Sequence, residues 1–162
     1  MVPEEFQQFI GRVDPPHVRD VERGAIKRYT EAAGDDNPLY YDNEFASRSE
    51  YGGIIAPPGF FGWPIKSVPN LEAVMGLMSA VVNAGYYRML DGGMAFEFFN
   101  PVYPGDILVA SPKIMDVSGK EGKGGLMIIC HFETSYVKQN GDLVAKSFQK
   151  VICRKPQPGG AQ

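Results

Sequence analysis

The stretch Leu126 to Arg154, LMIICHFETSYVKQNGDLVAKSFQKVICR, decides the fold class. Two long apolar-rich runs, Leu126 to Val137 and Leu143 to Arg154, flank Asn140-Gly141. Asn-Gly between such runs is the strongest short hairpin signal, because both residues tolerate the backbone a tight turn needs. Strands of that length predict a strongly curved sheet that wraps something. Working outward, Ile107 to Val117 reads as a further strand, interrupted or bulged at Pro112, and Phe96 to Val102 as another. The N-terminal half reads differently. Residues 24–33 (GAIKRYTEAA) place Ile26, Tyr29, Ala32 and Ala33 on one helical face, and Gly34 stops the helix. A weakly alternating strand precedes it at His17 to Glu22, and a short helix follows around Asn43 to Ser47. Pro57-Pro58 predicts a buried helix beginning near Pro58, where a missing N–H costs nothing. Leu71 to Leu90 is a second helical region, weakened by Gly76 and Gly85. Helices first and an antiparallel meander after them make an α+β protein.

The chain has 162 residues and a formal net charge of −3. That length suits one domain, and the charge lacks the basic excess of a nucleic-acid surface. No apolar run is long enough for a membrane span. The opening Met-Val-Pro-Glu-Glu-Phe lacks the cationic and apolar regions of a secretory signal, so the cytoplasm is the expected location. Two cysteines, Cys130 and Cys153, read as small buried apolar residues. With only His17 and His131 besides, no metal site is expected. His17 is expected at the surface. His131 falls on the strand face of Met127 and Ile129, opposite Cys130, and reads as a structural or interface residue. Both ends read as loose: an extension over residues 1–16, a domain over 17–154, and a flexible tail over 155–162.

Two further stretches carry more than pattern. Gly34-Asp35-Asp36-Asn37-Pro38-Leu39-Tyr40-Tyr41-Asp42 is followed by Phe45-Ala46, and Phe98-Phe99-Asn100-Pro101-Val102-Tyr103-Pro104-Gly105-Asp106-Ile107-Leu108 comes later. Between them lies GGIIAPPGFF, residues 52–61. In this order they resemble the MaoC-like hydratase/dehydratase family, and within it the FAS1-like (MaoC N-terminal, HadA-type) dehydratase domains. The resemblance covers roughly residues 17–154. It implies a hot-dog fold, in which a curved antiparallel sheet wraps a central helix. It also implies pairing into dimers, often with the sheet continued across the interface. The implied reaction is hydration of trans-2-enoyl thioesters of coenzyme A or acyl carrier protein, or dehydration of the (R)-3-hydroxyacyl forms, with no metal and no redox cofactor.

That reaction needs a base for water, an acid for the α-carbon, and donors for the enolate-like oxygen. The family uses an Asp and a His five residues later, with a backbone N–H at the start of the central helix. Asp35 matches the aspartate, but Tyr40 stands at the histidine position. A phenol titrates near 10 and imidazole near 6.5, so Tyr40 is a poor base at neutral pH. The oxyanion position falls on Pro58, which has no N–H, and Gly59 is the next donor. Asp35 and Tyr40 are therefore the catalytic candidates. Asn37, which fixes the turn that aims residue 40, and Pro58, Gly59 and Phe60 are the candidate substrate-binding residues. Asp35 and Asp36 also suit plain turn roles. The departures predict a substrate-binding subunit of a heteromer whose MaoC-like partner does the proton work. The alternatives are a homodimeric hydratase using Asp35 with Tyr40 or His131, and a non-catalytic acyl-CoA-binding module.

Overall fold

The Asn140-Gly141 hairpin organises the sheet. In the computed structural model, which describes residues 2–61, 70–122 and 124–156, β4 (Gly125–Lys138) and β5 (Leu143–Arg154) pair antiparallel. The Gly141 N–H donates to the Lys138 carbonyl at 2.9 Å. Gly141 has φ +94°, while among the described residues no non-glycine has a positive φ. Asn140 therefore does not adopt the type I′ form. The turn is type I, closed by glycine in a bulge.

β3 (Ile107–Gly122) pairs with the other side of β4. The short β1 (His17–Asp20) joins β3, and β2 (Arg88–Phe98) joins β5. The order is β1-β3-β4-β5-β2, antiparallel throughout, a curled half-barrel with helices against it. The helices are α1 (Glu4–Gln7), α2 (Arg23–Ala33), α3 (Asn43–Arg48) and α4 (Glu72–Asn83), with a 3-10 turn at Pro38–Tyr40. The α+β hot-dog architecture expected from the sequence is the one observed.

Several boundaries differ, each for a local reason. β2 starts at Arg88, not Phe96, because Gly85 at φ +92° ends the helical region and frees Met89 and Leu90 to pair with Cys153 and Ile152. It stops at Phe98, ahead of Asn100-Pro101. β3 runs on to Gly122, and its bulge lies between Ile114 and Asp116 rather than at Pro112. Pro112 lies beyond the end of β1, whose pairing stops at Ala110, so no strand on that side claims the N–H it lacks. No helix begins at Pro58. Pro57 to Phe60 form a β-turn in which the Phe60 N–H donates to the Pro57 carbonyl at 3.0 Å and Gly59 has φ +88°. Proline followed by a left-handed glycine is the type II signature, and a helix cannot pass through it. Residues 62–69, where that helix was expected to run, lie outside the described residues, as do residues 157–162 of the expected tail.

The helix on the concave face is α4. Its Leu77 and Val81, one turn apart, are fully buried among Ile114, Ile128, Cys130 and Cys153. Both cysteines behave as the small apolar residues expected. A second cluster joins Ile26 of α2 to Leu108, Val144 and Tyr136 of the sheet. The N-terminal residues are not loose. Phe6 is fully buried against the α4 cluster. Asp14, 2% exposed, caps α4 from far away in sequence: its carboxylate accepts from the Ala73 N–H at 2.6 Å and the Val74 N–H at 3.1 Å. A carboxylate at a helix N-terminus meets unpaired donors and the positive end of the dipole. Asp14→Ala is expected to lower stability by about 1–2 kcal/mol, read as a lower urea midpoint with unchanged slope. Asp14→Asn, which keeps one acceptor, should recover part of the loss.

Candidate active site

The first motif is a chain of caps. Gly34, at φ +67°, ends α2, and the Asp35 N–H reaches back to the Thr30 carbonyl at 3.0 Å. The Asp35 Oδ1 accepts the Asn37 N–H, and the Asn37 Oδ1 accepts the Leu39 N–H, both at 3.1 Å. Asp42 caps α3 through the Glu44 and Phe45 N–H groups. These local bonds drive the Tyr40 ring into the core, where it is 8% exposed, and turn Tyr41 outward. The second motif pins the intervening stretch beside the first. The Ala56 N–H donates to the Val102 carbonyl at 2.7 Å, the Ile55 N–H to the Leu39 carbonyl at 3.3 Å, and the Tyr103 hydroxyl to the Tyr51 carbonyl at 3.0 Å. Asp106 holds its own loop: it accepts the Tyr103 N–H and pairs with Lys138 at 2.8 Å.

The result is an open apolar pocket of about 480 Å³ that brings Asn37, Tyr40, Pro58 and Phe60 together. Asp35 is not in its wall. It is exposed and lines an adjoining cleft with Arg23 and Lys27, and Tyr40 forms a wall of both spaces. Gly59 lines a third cleft with Arg19, Arg28 and Tyr29. Phe60 and Phe61 lie between that cleft and the apolar pocket. The Phe60 N–H is occupied by the Pro57 carbonyl, whereas the Gly59 N–H donates no bond among the described residues. Burial first, and then the negative charge of Asp35, push the Tyr40 phenol above its usual 10, against a hydrogen bond with Asn37. That direction favours the neutral phenol over the phenolate. Among the described residues no three His, Cys, Asp or Glu side chains converge as a metal would require.

The profile of the FAS1-like, dehydratase domain region matches residues 8–147. The chain belongs to this MaoC-like dehydratase family. A UPF0336 protein of Streptomyces avermitilis is 27% identical over 154 residues, covering 94% of this chain and 97% of that one. A probable enoyl-CoA hydratase alpha subunit of Thermomonospora curvata is 23% identical over 169 residues, covering 95% of this chain and 52% of that one. Among solved structures, the ChsH1-ChsH2 complex from Mycobacterium tuberculosis superposes with a TM-score of 0.83 at 22% identity, over 96% of this chain and 92% of that one. This shared shape establishes the fold. No described helix is long and apolar enough to cross a membrane.

Within this dehydratase domain the two histidines stand apart. His131 lies on the convex face, as alternation against buried Cys130 requires, with Nε2 3.1 Å from the Ser118 hydroxyl. Tyr40 packs on the concave side with Tyr136 and Val144, so one chain does not bring His131 to it. His17, expected at the surface, is only 6% exposed: β1 turns it to the inner face of the sheet, where it lines a cavity with Leu71, Val74 and Met78. The sequence reading also missed Arg19 and the part that Tyr136 and Phe98 take in the aromatic wall, in which Phe61 stacks on Tyr136 at 4.2 Å and lies 6.2 Å from Phe98. Phe98-Phe99 at the start of the second motif was the available signal for that part of the wall. Arg19, in a four-residue strand of weak alternation, offered none.

Burial, and then the Arg19 charge, hold the His17 pKa below the usual 6.5. In the unfolded chain His17 takes a proton near 6.5, while the folded chain resists until lower pH. Folded stability is therefore full above 6.5 and falls as pH drops toward the folded value. Urea midpoints measured across that range should decline with acidity, and His17→Gln should remove that part of the decline.

Proposed function

We propose that the chain is the acyl-binding subunit of an enoyl-thioester hydratase, or in the reverse direction an (R)-3-hydroxyacyl-thioester dehydratase. A second MaoC-like subunit supplies the proton-transferring pair. The observation that carries this reading is Tyr40, a neutral buried phenol at the position where the family has its histidine. Proton abstraction from water needs a group poised near neutral pH, and Tyr40 is pushed the wrong way. What the chain retains suits binding. The apolar wall of Phe60, Phe61 and Phe98 accommodates an acyl group. The Gly59 N–H, at a turn only glycine adopts readily, is the donor left for a thioester oxygen. Asn37 and Tyr40 close the pocket with polar groups that orient a substrate, and Asp35 stands behind Tyr40 at the rim. The thioester carrier is coenzyme A or an acyl carrier protein.

The free edge of the sheet supports the subunit reading. β2 is an end strand, and Leu90, Met94 and Phe98 on it are 48%, 51% and 53% exposed. Among the described residues no strand pairs with its outer edge, and a long edge strand with exposed apolar side chains is a template for another sheet. The names of the relatives agree, one being an alpha subunit and the solved neighbour a complex of two chains. The test is loss of enoyl-thioester absorbance with short, medium and long trans-2-enoyl-CoAs. It is run on the chain alone and then with a MaoC-like protein encoded beside it. Turnover in the mixture only is the expected result. Strong turnover by the isolated chain would overturn the proposal in favour of a homodimeric enzyme, and saturable binding without turnover in either case would leave an acyl-CoA-binding module.

A further inference from the structure

One end of the sheet gathers cations on its convex face. Lys120 of β3, Met127 of β4, Arg154 of β5 and Arg88 of β2 stand directly opposite one another in turn, a single row across the strands. The row faces outward, because the adjacent Ile128 and Cys153 are fully buried on the other side. Arg88, Arg154 and the following Lys155 line one pocket of about 290 Å³. Met127 is an apolar part of its wall. Gly122 and Gly125, paired where β3 turns into β4, leave bare backbone on another side. No acidic residue lines this pocket, and among the described residues no carboxylate pairs with Arg88, Arg154 or Lys155. Glu121 of β3 stands in the next row, opposite Leu126. The Lys155 ammonium lies over the Tyr86 ring instead, 4.8 Å from its centroid.

Like charges directly opposite on neighbouring strands destabilise a sheet. Arg88 and Arg154 are such a pair, in a chain whose formal net charge is −3. A bound anion removes that repulsion. Guanidinium groups suit phosphate, because their planar forks donate two parallel hydrogen bonds to its oxygens. We propose that Arg88, Arg154 and Lys155 form a binding site for a phosphate group. Two sources share that chemistry. One is a free phosphate compound. The other is the phosphorylated carrier of a thioester, and this source rests on the reading of the chain as the acyl-binding subunit. β2 bears Arg88 at one end and Phe98, in the wall of the Tyr40 pocket, at the other. Those ends lie about 30 Å apart at the rise of a strand. Where two β2 edges pair antiparallel, the Arg88 end of one comes beside the Phe98 end of the other. The carrier in a neighbouring subunit's pocket then reaches this site across the interface.

The chain is titrated by calorimetry with coenzyme A, adenosine 3′,5′-bisphosphate, inorganic pyrophosphate and pantetheine, at low salt and at about 0.15 M salt. The three phosphate compounds should bind at least about tenfold more tightly than pantetheine, which has no phosphate, and less tightly as salt rises. In Arg88→Gln with Arg154→Gln they should lose at least about tenfold in affinity, as expected when charge-assisted hydrogen bonds are removed. Without ligand, the thermal midpoint of that variant should hold or rise, because the opposed charges are gone. If the midpoint falls with the affinity, Lys155→Gln, beyond the end of β5, decides by the same loss of binding. The sources separate in the assembly with a MaoC-like subunit, where kcat/KM for an enoyl-CoA is divided by that for the same enoyl-pantetheine. A ratio that shrinks in the double variant assigns the site to the carrier. An unchanged ratio, with phosphate binding lost in calorimetry, assigns it to a free phosphate compound. No binding of any phosphate compound, or binding unchanged in both variants, would overturn the inference and leave the hydratase reading intact. Absence of thioester turnover in every mixture would overturn that reading and leave the phosphate site standing.

Discussion

The isolated chain should hydrate trans-2-enoyl-CoAs at least about 100-fold more slowly than the same chain mixed with a MaoC-like subunit that carries the Asp and His pair. Positioned general acid–base catalysis is worth about 10²–10⁴ in rate, and on the proposed reading the partner subunit, not Tyr40, supplies it. Its ring is buried, and Asp35 lies close enough for its charge to oppose phenolate formation. Tyr40→Phe in the mixture should therefore change kcat by no more than about fivefold, because a neutral phenol contributes at most a hydrogen bond of about 1 kcal/mol. A much larger loss would make Tyr40 a participant in proton transfer. The measurement is the initial rate of enoyl absorbance loss across substrate concentrations, so that kcat and KM separate.

Charging the free edge of the sheet should have an equally large effect on assembly. Leu90 and Met94 lie on β2, roughly half exposed and outside the pocket that holds Tyr40. In the double substitution Leu90→Lys with Met94→Lys, association would trap two ammonium groups at an apolar interface. An uncompensated buried charge costs several kcal/mol, and each 1.4 kcal/mol is a factor of about ten in Kd. Association with another MaoC-like chain, whether a second copy or a different subunit, should weaken at least about 100-fold. Light scattering at micromolar concentration should then report a monomer. The fold should survive, because these side chains are already half in water. A thermal midpoint close to the unsubstituted chain checks that. Unchanged assembly would move the interface away from β2.

The parts of this protein legible in the sequence are those governed by neighbours along the chain. The β4–β5 hairpin is set by alternation and Asn140-Gly141, and α2 by its apolar spacing and Gly34. The cap chain of Asp35, Asn37 and Asp42 is set by side chains that bond backbone two or three residues away. Such contacts have short loops to close, so residue type alone specifies them. The family also was legible, since its two motifs lie within such local structure. The turn at Pro58 was misread because proline suits both a helix start and a type II turn, and the left-handed Gly59 decides between them.

Tertiary structure decided what depends on distant partners. Asp14 caps a helix that begins at Glu72, and nothing near Asp14 in sequence announces it. Phe6 is buried against α4, and His17 on the inner face of the sheet, not because of their own patterns. The site itself divides along the same line. Asp35, Tyr40 and Gly59 were legible as candidates from a linear motif. Alternation already set His131 opposite Cys130, but only the fold separates Asp35 from the apolar pocket and sets Arg19 between two cavities. The physical reason is the curl of the sheet. It converts period-two alternation, which assigns each residue a face, into an inside and an outside, and which strands curl over which helix is settled by burial among residues far apart in the chain.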